Sequence, residues 1–408
     1  MQPSRYAMLS REELSVLLPE LLLIGCMIDR ASLVWCLKDL GREAMTRIAI
    51  DEWASSSPLY TKRMQRALRY EDNDVATIFK GFQLDIGSPP QYMDFRFTVA
   101  DRWHGEFQVN DCGGLNDFEP LGEEMVIGMC HTVEDPTFDA TAVATNPKAQ
   151  LRPIHRPPRP AADRNKPPCA WTVIIDESYP ETQPHPGLAT IAAKHAARVE
   201  LASIDDTDEG LSDYSGPLLS DLDFGAFSKS ALVRMADEVC VQMHLLSLAF
   251  GHSVQSFTDA ETARDVRTRS LIGIAGLAAK RIRHALNMAA DIDGAAQVVE
   301  LHPLINPSAY VNADVNSAEL TVYRSDAHRD DAWISLCTPA DPRPLQAIVT
   351  AVDAHLDVRM YGDDQDWTAV IVRNDVPAPV MAEVSIAEIS SGAHFEFQSR
   401  QSIPLTMI

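Results

Sequence analysis

The chain repeats itself, and this constrains its fold more than any single motif. Lys62-Arg-Met-Gln-Arg-Ala-Leu68 returns as Lys280-Arg-Ile-Arg-His-Ala-Leu286, and Pro89 returns as Pro307, all at an offset of 218 residues. Self-similarity at a fixed spacing means that each copy is one structural unit, so every motif is read twice. The match extends outward. SREELSVLLPELLLIGCMI (10–28) pairs with SKSALVRMADEVCVQMHLL (228–246), both with apolar residues at helical spacing. FRFTVADRWHGEFQVNDC (95–112) pairs with ELTVYRSDAHRDDAWISLC (319–337). Each is an apolar run, a polar turn and a second apolar run ending in cysteine, the pattern of a β-hairpin. EPLGEEMVIGM (119–129) answers DPRPLQAIVTA (341–351) as a helix, and CAWTVIID (169–176) answers DWTAVIVR (366–373) as a strand.

Five pairs in one order predict an α+β fold made of two related copies, an internal duplication, each with N-terminal helices and a mainly antiparallel sheet. The first copy covers residues 1–178 and the second 225–408. Residues 179–224 form an acidic, proline-containing linker with space for one short helix from Leu188 to Leu201.

Composition narrows the functions. A chain of 408 residues that is 46% hydrophobic buries a large core. Its 58 acidic and 35 basic side chains give a net charge of −23, a field that repels phosphate backbones and anionic lipid. Nucleic acid and membrane are therefore not expected partners. The longest apolar run, Leu14 to Ile28, is broken by Pro19 and Glu20 and reads as a buried helix. The seven cysteines show no CxxC spacing, and the opening MQPSRYAMLSREEL lacks the pattern of a signal peptide. Reduced thiols and a cytoplasmic location are expected. Cofactors stay undetermined, and homo-oligomerisation stays open.

The candidate site is GMCHTVEDPTFDA, Gly128 to Ala140. In the second copy the helix from Leu345 to His355 passes almost directly into the strand from Val358 to Tyr361. By the two offsets, about sixteen residues belong to the first copy alone, with Val352 and Asp353 opposite Cys130 and His131. An extra polar loop on a rigid scaffold is where function concentrates. The expected catalytic residues are Cys130 as nucleophile or essential thiol, His131, or else His155, as proton carrier and Asp135 as orienting carboxylate. Substrate-binding roles fall to His104, Asp139, His155, Arg156 and Arg159, the two arginines as an anion clamp. Each has a structural alternative: a buried thiol packs as a small hydrophobe, Asp135 before Pro136 is a helix N-cap, and the stretch Arg152 to Pro168 is a solvated basic loop. Cys130, His131, Asp135 and Asp139 lack zinc spacing, which leaves a metal open. Trp53, Phe95, Phe97, Trp103 and Phe107 would line a partly apolar pocket.

The order of helix, Cys130-x4-Asp135, short helix, Pro-Lys-Ala-Gln-Leu-Arg strand and closing Cys169-x-Trp-Thr-Val strand resembles the L-2-amino-thiazoline-4-carboxylic acid hydrolase-like family over residues 115–176. The closing strand is also similar to the end of the 4-vinyl reductase small-molecule-binding domains. The resemblance implies hydrolysis of a C–N bond in a small, carboxylate-bearing cyclic substrate, with Cys130, Asp135 and Cys169 at family positions. Two other readings stand beside it. One is hydrolase or lyase chemistry on an acyl-CoA or hydrophobic ring; the other is a non-catalytic binder of an apolar small molecule, in which Cys130 is structural.

Overall fold

The computed structural model describes residues 2–388 of the chain, and the end of the second expected copy, 389–408, lies outside them. Helix α1 (Arg11–Leu40) starts at a reciprocal cap in which Ser10 and Glu13 each satisfy the other's backbone N–H. Gly41, at φ +87, turns the chain into α2 (Arg42–Ala67), a backbone angle that a residue without Cβ takes at no steric cost. Then come α3 (Val75–Gln83), β1 (Met93–Val99), β2 (His104–Cys112), α4 (Gly113–Phe118), α5 (Glu123–Ile127), α6 (Glu134–Ala142), β3 (Ala149–His155) and β4 (Cys169–Ile175). The connection that follows carries α7 (Leu188–Ala192) and α8 (His195–Arg198). The second half contains α9 (Lys229–Phe257), α10 (Ala260–Ala285), α11 (Ile292–Leu301), β5 (Ala313–Asn316), β6 (Glu319–Val322) and α12 (Asp326–Arg329). It ends with α13 (Arg343–Val352), β7 (Leu356–Gly362), β8 (Trp367–Arg373) and α14 (Ala382–Glu388).

The fold is α+β, with two four-stranded antiparallel sheets in the orders β1-β2-β4-β3 and β5-β6-β8-β7. Helix α10 begins and ends 218 residues after α2, Ser228 caps α9 as Ser10 caps α1, and Arg69 and Asn287 share a positive φ after the second helix. The long helices form the centre of the molecule. Here α1 packs chiefly on α10 and α2 on α9, so each half is completed by the other. Arg63 pairs with Glu238 at 2.8 Å and Arg281 with Glu20 at 2.5 Å. These residues are again 218 apart, which is the reciprocal contact of a two-fold arrangement. One core runs from Tyr6 to Ala387, and a cut at either end of the linker would divide it.

The second hairpin lies upstream of its expected place. Its strands are β5 and β6, and the run expected to be its second strand forms α12 and a 3-10 turn at Trp333–Leu336. Ser325 and His328 cap each other and turn the chain out of the sheet. Trp333, Ile334 and Leu336 are all buried, so this run is apolar because it is core and not because it alternates across a sheet.

The expected sixteen-residue excess is also placed elsewhere. Residues 113–133 join β2 to α6, and residues 323–342, nearly as many, join β6 to α13. The first half gains its length in the longer hairpin and in the β3–β4 connection, 156–168 against 363–366. In element order α13 answers α6, so Val352 and Asp353 do not oppose Cys130 and His131.

The expected helix over 119–129 breaks at Gly122 (φ +100), and α5 runs through a widened π turn, Gly128–Val133, into α6. Pro136 has no N–H to give and its ring crowds the carbonyl four residues back; widening the turn just ahead accommodates both. Asp135 consequently lies inside a continuous helix and caps nothing. The linker helix expected over 188–201 is split into α7 and α8, and the linker is docked on the second half: Asp330 accepts the backbone N–H groups of His195 and Ala196 at 3.0 Å each.

Candidate functional site

A cavity of about 380 Å³ lies between α1, α2, the start of β1, α4, the π turn and α6 of the first half, with Ile386 of α14 also lining it. Helix α1 supplies Cys26, Asp29, Arg30, Leu33, Val34 and Leu37, the three- and four-residue spacing of one helix face. Its apolar surface includes Trp53, Phe82, Phe95, Met125 and Phe138. From the segment 128–142 come Met129, Cys130, Val133, Glu134, Thr137, Phe138 and Thr141, so the stretch that poses the chemical question in the sequence forms one wall.

The polar groups of the wall are mainly carboxyls. Trp53 donates its indole N–H to Asp29 Oδ2 at 2.8 Å, whereas Asp29 Oδ1, shut off from water, has no hydrogen-bond partner among the described residues. Burial pushes this carboxyl up to about 7. Behind it on α2 stands Glu52, fully buried, with neither carboxyl oxygen hydrogen-bonded among the described residues, and pushed well above the usual carboxylate range by burial and by Asp29. Asp85 is better served. It accepts from Tyr60 Oη at 3.0 Å and from the Gly87 N–H at 2.7 Å, yet burial still raises it to about 6. Glu134 is raised to about 7 by burial, with Asp29 and Asp135 adding repulsion. Asp117 pairs with Arg30 and accepts from Tyr92 Oη at 2.7 Å.

The expected catalytic group is spread over several places. Cys130 lines the cavity, and burial pushes its thiol up; its charged and polarisable neighbours are Cys112, Glu134, Cys169 and Arg156, with no histidine among them. His131 donates from Nε2 to the Pro157 carbonyl at 2.5 Å. Asp135 is paired with Arg156, whose guanidinium lies 5.7 Å from the Trp171 ring centroid. His104 is held by Asp101 at the exposed hairpin turn, and His155 donates to the Pro167 carbonyl at 3.1 Å. Asp139 joins α6 to β3, accepting the Leu151 N–H and pairing with Arg152, both at 2.8 Å. Arg159 donates to the Lys166 carbonyl. Neither Arg156 nor Arg159 lines the cavity, so the basic loop puts no anion clamp there. Of the expected aromatic lining, Trp53 and Phe95 contribute; Phe97 and Phe107 pack against Phe79, and Trp103 is exposed.

Asp29, Glu52 and Asp85 were not singled out in the sequence, and Glu134 entered only as a member of the stretch 128–140, without a role of its own. Two of them carried a signal: Asp29 follows Cys26 and precedes Leu33 on a buried helix face, and Glu52 follows Ile48 and Ala49 in the same way. A carboxyl at an apolar-face position is rare unless something partners it. Among the described residues no group of three or more His, Cys, Asp or Glu is placed to hold a metal, and no helix is long and apolar enough to cross a membrane. No protein-family model, curated protein or solved structure matches the chain.

Proposed function

We propose that the protein binds a small, mainly apolar molecule in the cavity of its first half, with Asp29 and Glu134 as polar anchors. The observation that carries this reading is the cavity itself. In a packed interior, a hollow of this size lined by aromatic and aliphatic side chains with a few convergent polar groups is the form of a ligand site. The unsatisfied Asp29 Oδ1 adds to it, because a buried acceptor without a donor costs about 1–3 kcal/mol, which a bound donor would recover. We further infer that the two halves descend from one duplicated unit. The test is titration with the neutral fluorophore N-phenyl-1-naphthylamine. Saturable binding at one site, lost when Cys130→Trp fills the cavity in a protein that still folds, is expected. A folded wild-type protein that shows no saturable binding would refute the reading.

A second reading keeps the hydrolase that the sequence resembles. It is favoured by one observation: Cys130 shares the cavity wall with Glu134, a carboxyl raised to the range where a general base works. Cys130→Ser separates the two. It would leave fluorophore binding unchanged and, under the hydrolase reading, abolish opening of a thiazoline ring.

A further inference from the structure

The charge of the cavity says what kind of molecule it accepts. Four carboxyl residues, Asp29, Asp85, Asp117 and Glu134, line it, against the single guanidinium of Arg30, which is paired with Asp117. Asp85 has its own donors in Tyr60 and Gly87. That leaves Asp29 with one unpartnered oxygen and Glu134 with no side-chain hydrogen bond among the described residues, both on the cavity wall and on different helices. An acidic cluster alone would not define a ligand; here it faces an apolar hollow, and a buried acceptor in it lacks a donor.

We infer that the molecule held in the cavity is an amine or amidine, protonated, on an apolar body, and that Asp29 on α1 and Glu134 on α6 are the groups that take the cation. This rests on the proposed binding role of the same cavity. An ammonium brings the donors that Asp29 Oδ1 lacks and the opposite charge that makes a buried carboxylate tolerable. A neutral alcohol supplies one donor and no charge. A carboxylate meets repulsion from every acid of the wall, and the overall charge of −23 adds to it.

Binding should therefore depend on pH. The groups facing Asp29 and Glu134 are Cys26 and the Arg30–Asp117 pair, Glu52 and Tyr60 from α2, Asp85 after α3, Cys112 at the end of β2, Cys130 on the π turn, Asp135 on α6, Arg156 after β3 and Cys169 at the start of β4. In this surrounding both carboxyls of the empty site are raised to about 7, so an ammonium entering below that pH expels a proton. Its affinity rises with pH between about 5 and 8, by up to about tenfold per pH unit for each proton released.

The experiment is displacement of N-phenyl-1-naphthylamine by three ligands of nearly equal size: tryptamine, tryptophol and indole-3-acetate. At pH 8 the Kd of tryptamine is expected to be at least about tenfold below that of tryptophol, with indole-3-acetate weakest, and the gap should narrow at pH 5.5. The double variant Asp29→Asn/Glu134→Gln should bind the fluorophore and lose the preference for the amine; Asp29→Asn alone gives the same direction if the double variant does not fold. Equal affinities for tryptamine and tryptophol at pH 8, or a preference that survives both substitutions, would overturn the amine assignment while leaving the cavity as a binding site. Failure of the fluorophore itself to bind would instead refute the binding role, and the amine assignment with it.

Discussion

Positions 218 residues apart share a scaffold and differ in chemistry. Tyr92 donates to Asp117 in the first half, and Tyr310 donates to Asp330 at 2.9 Å in the second, the same bond in the same element order. Around that bond the halves diverge. Where the first half has Cys26, the second has His244, whose ring lies 5.0 Å from Tyr310 and 5.2 Å from Trp333. Burial lowers His244 to about 4, so it stays neutral, and its Nε2 bonds the Asn306 carbonyl at 2.8 Å. Where the first half has Asp29 and Glu52, the second has Ser247 and Ser270, the latter satisfied by the Val266 carbonyl at 2.8 Å. One tyrosine wall faces a hollow and the other faces rings. Groups common to both halves hold the fold, and a site is to be sought among those that differ.

This contrast can be tested by stability, starting with the largest effect. Trp333→Ala, in the packed ring cluster of the second half, should cost about 3–5 kcal/mol, because its neighbours cannot collapse into the space, whereas Met125→Ala, beside an existing cavity, should cost about half as much or less. Urea midpoints with unchanged m-values measure both; equal losses would mean that the two halves are packed alike. Next, the reciprocal ion pairs are unequally buried. The Glu238 side chain is only 2% exposed and serves both Arg63 and Arg234, while that of Glu20 is 19% exposed. Glu238→Gln should cost about 3 kcal/mol and Glu20→Gln about 1, and the reverse order would break the asymmetry.

The smallest expected effect concerns pH. Asp29 is raised from 3.8 to about 7, so the folded protein keeps a proton there that the unfolded chain has released. Its contribution is most favourable below about pH 4 and is lost as pH rises through about 7. Asp29→Asn should thus stabilise the protein on the order of 2 kcal/mol at pH 8 and by almost nothing at pH 4. In the second half, Ser270→Glu, which puts a carboxyl at the buried position answering Glu52, should destabilise the protein at pH 8. A pH-independent gain from Asp29→Asn would show that the carboxyl is solvated.

The α+β class, the long helices and most strands were legible because they rest on periodicity: apolar spacing of three and four in SREELSVLLPELLLIGCMI, and short β-rich runs bounded by turns in FRFTVADRWHGEFQVNDC. The second hairpin was misplaced because a short buried run such as Trp333-Ile-Ser-Leu336 has no period to distinguish turn from strand. The site was legible only in part. Residues 128–142 reach the cavity, but the histidines and arginines near them in sequence are bound to local carbonyls and acids. Asp29 and Glu52 lie some hundred residues upstream, and only the packing of α1 and α2 brings them to Glu134. Proximity along the chain is a weak guide to proximity in a bundle.

The exchange of helix partners across the halves also bears on synthesis. An α1 that packs on α10 emerges from the ribosome long before its partner: roughly 220 residues later, or about 10–40 s at ordinary elongation rates of 5–20 residues per second. Through that interval the leucine-rich face of Leu14 to Ile28 lacks the greater part of its native cover, which α9 and α10 supply. Nascent chains of this protein are therefore expected to expose an apolar helix to chaperones until α9 and α10 have been made, and the bundle cannot close before that point.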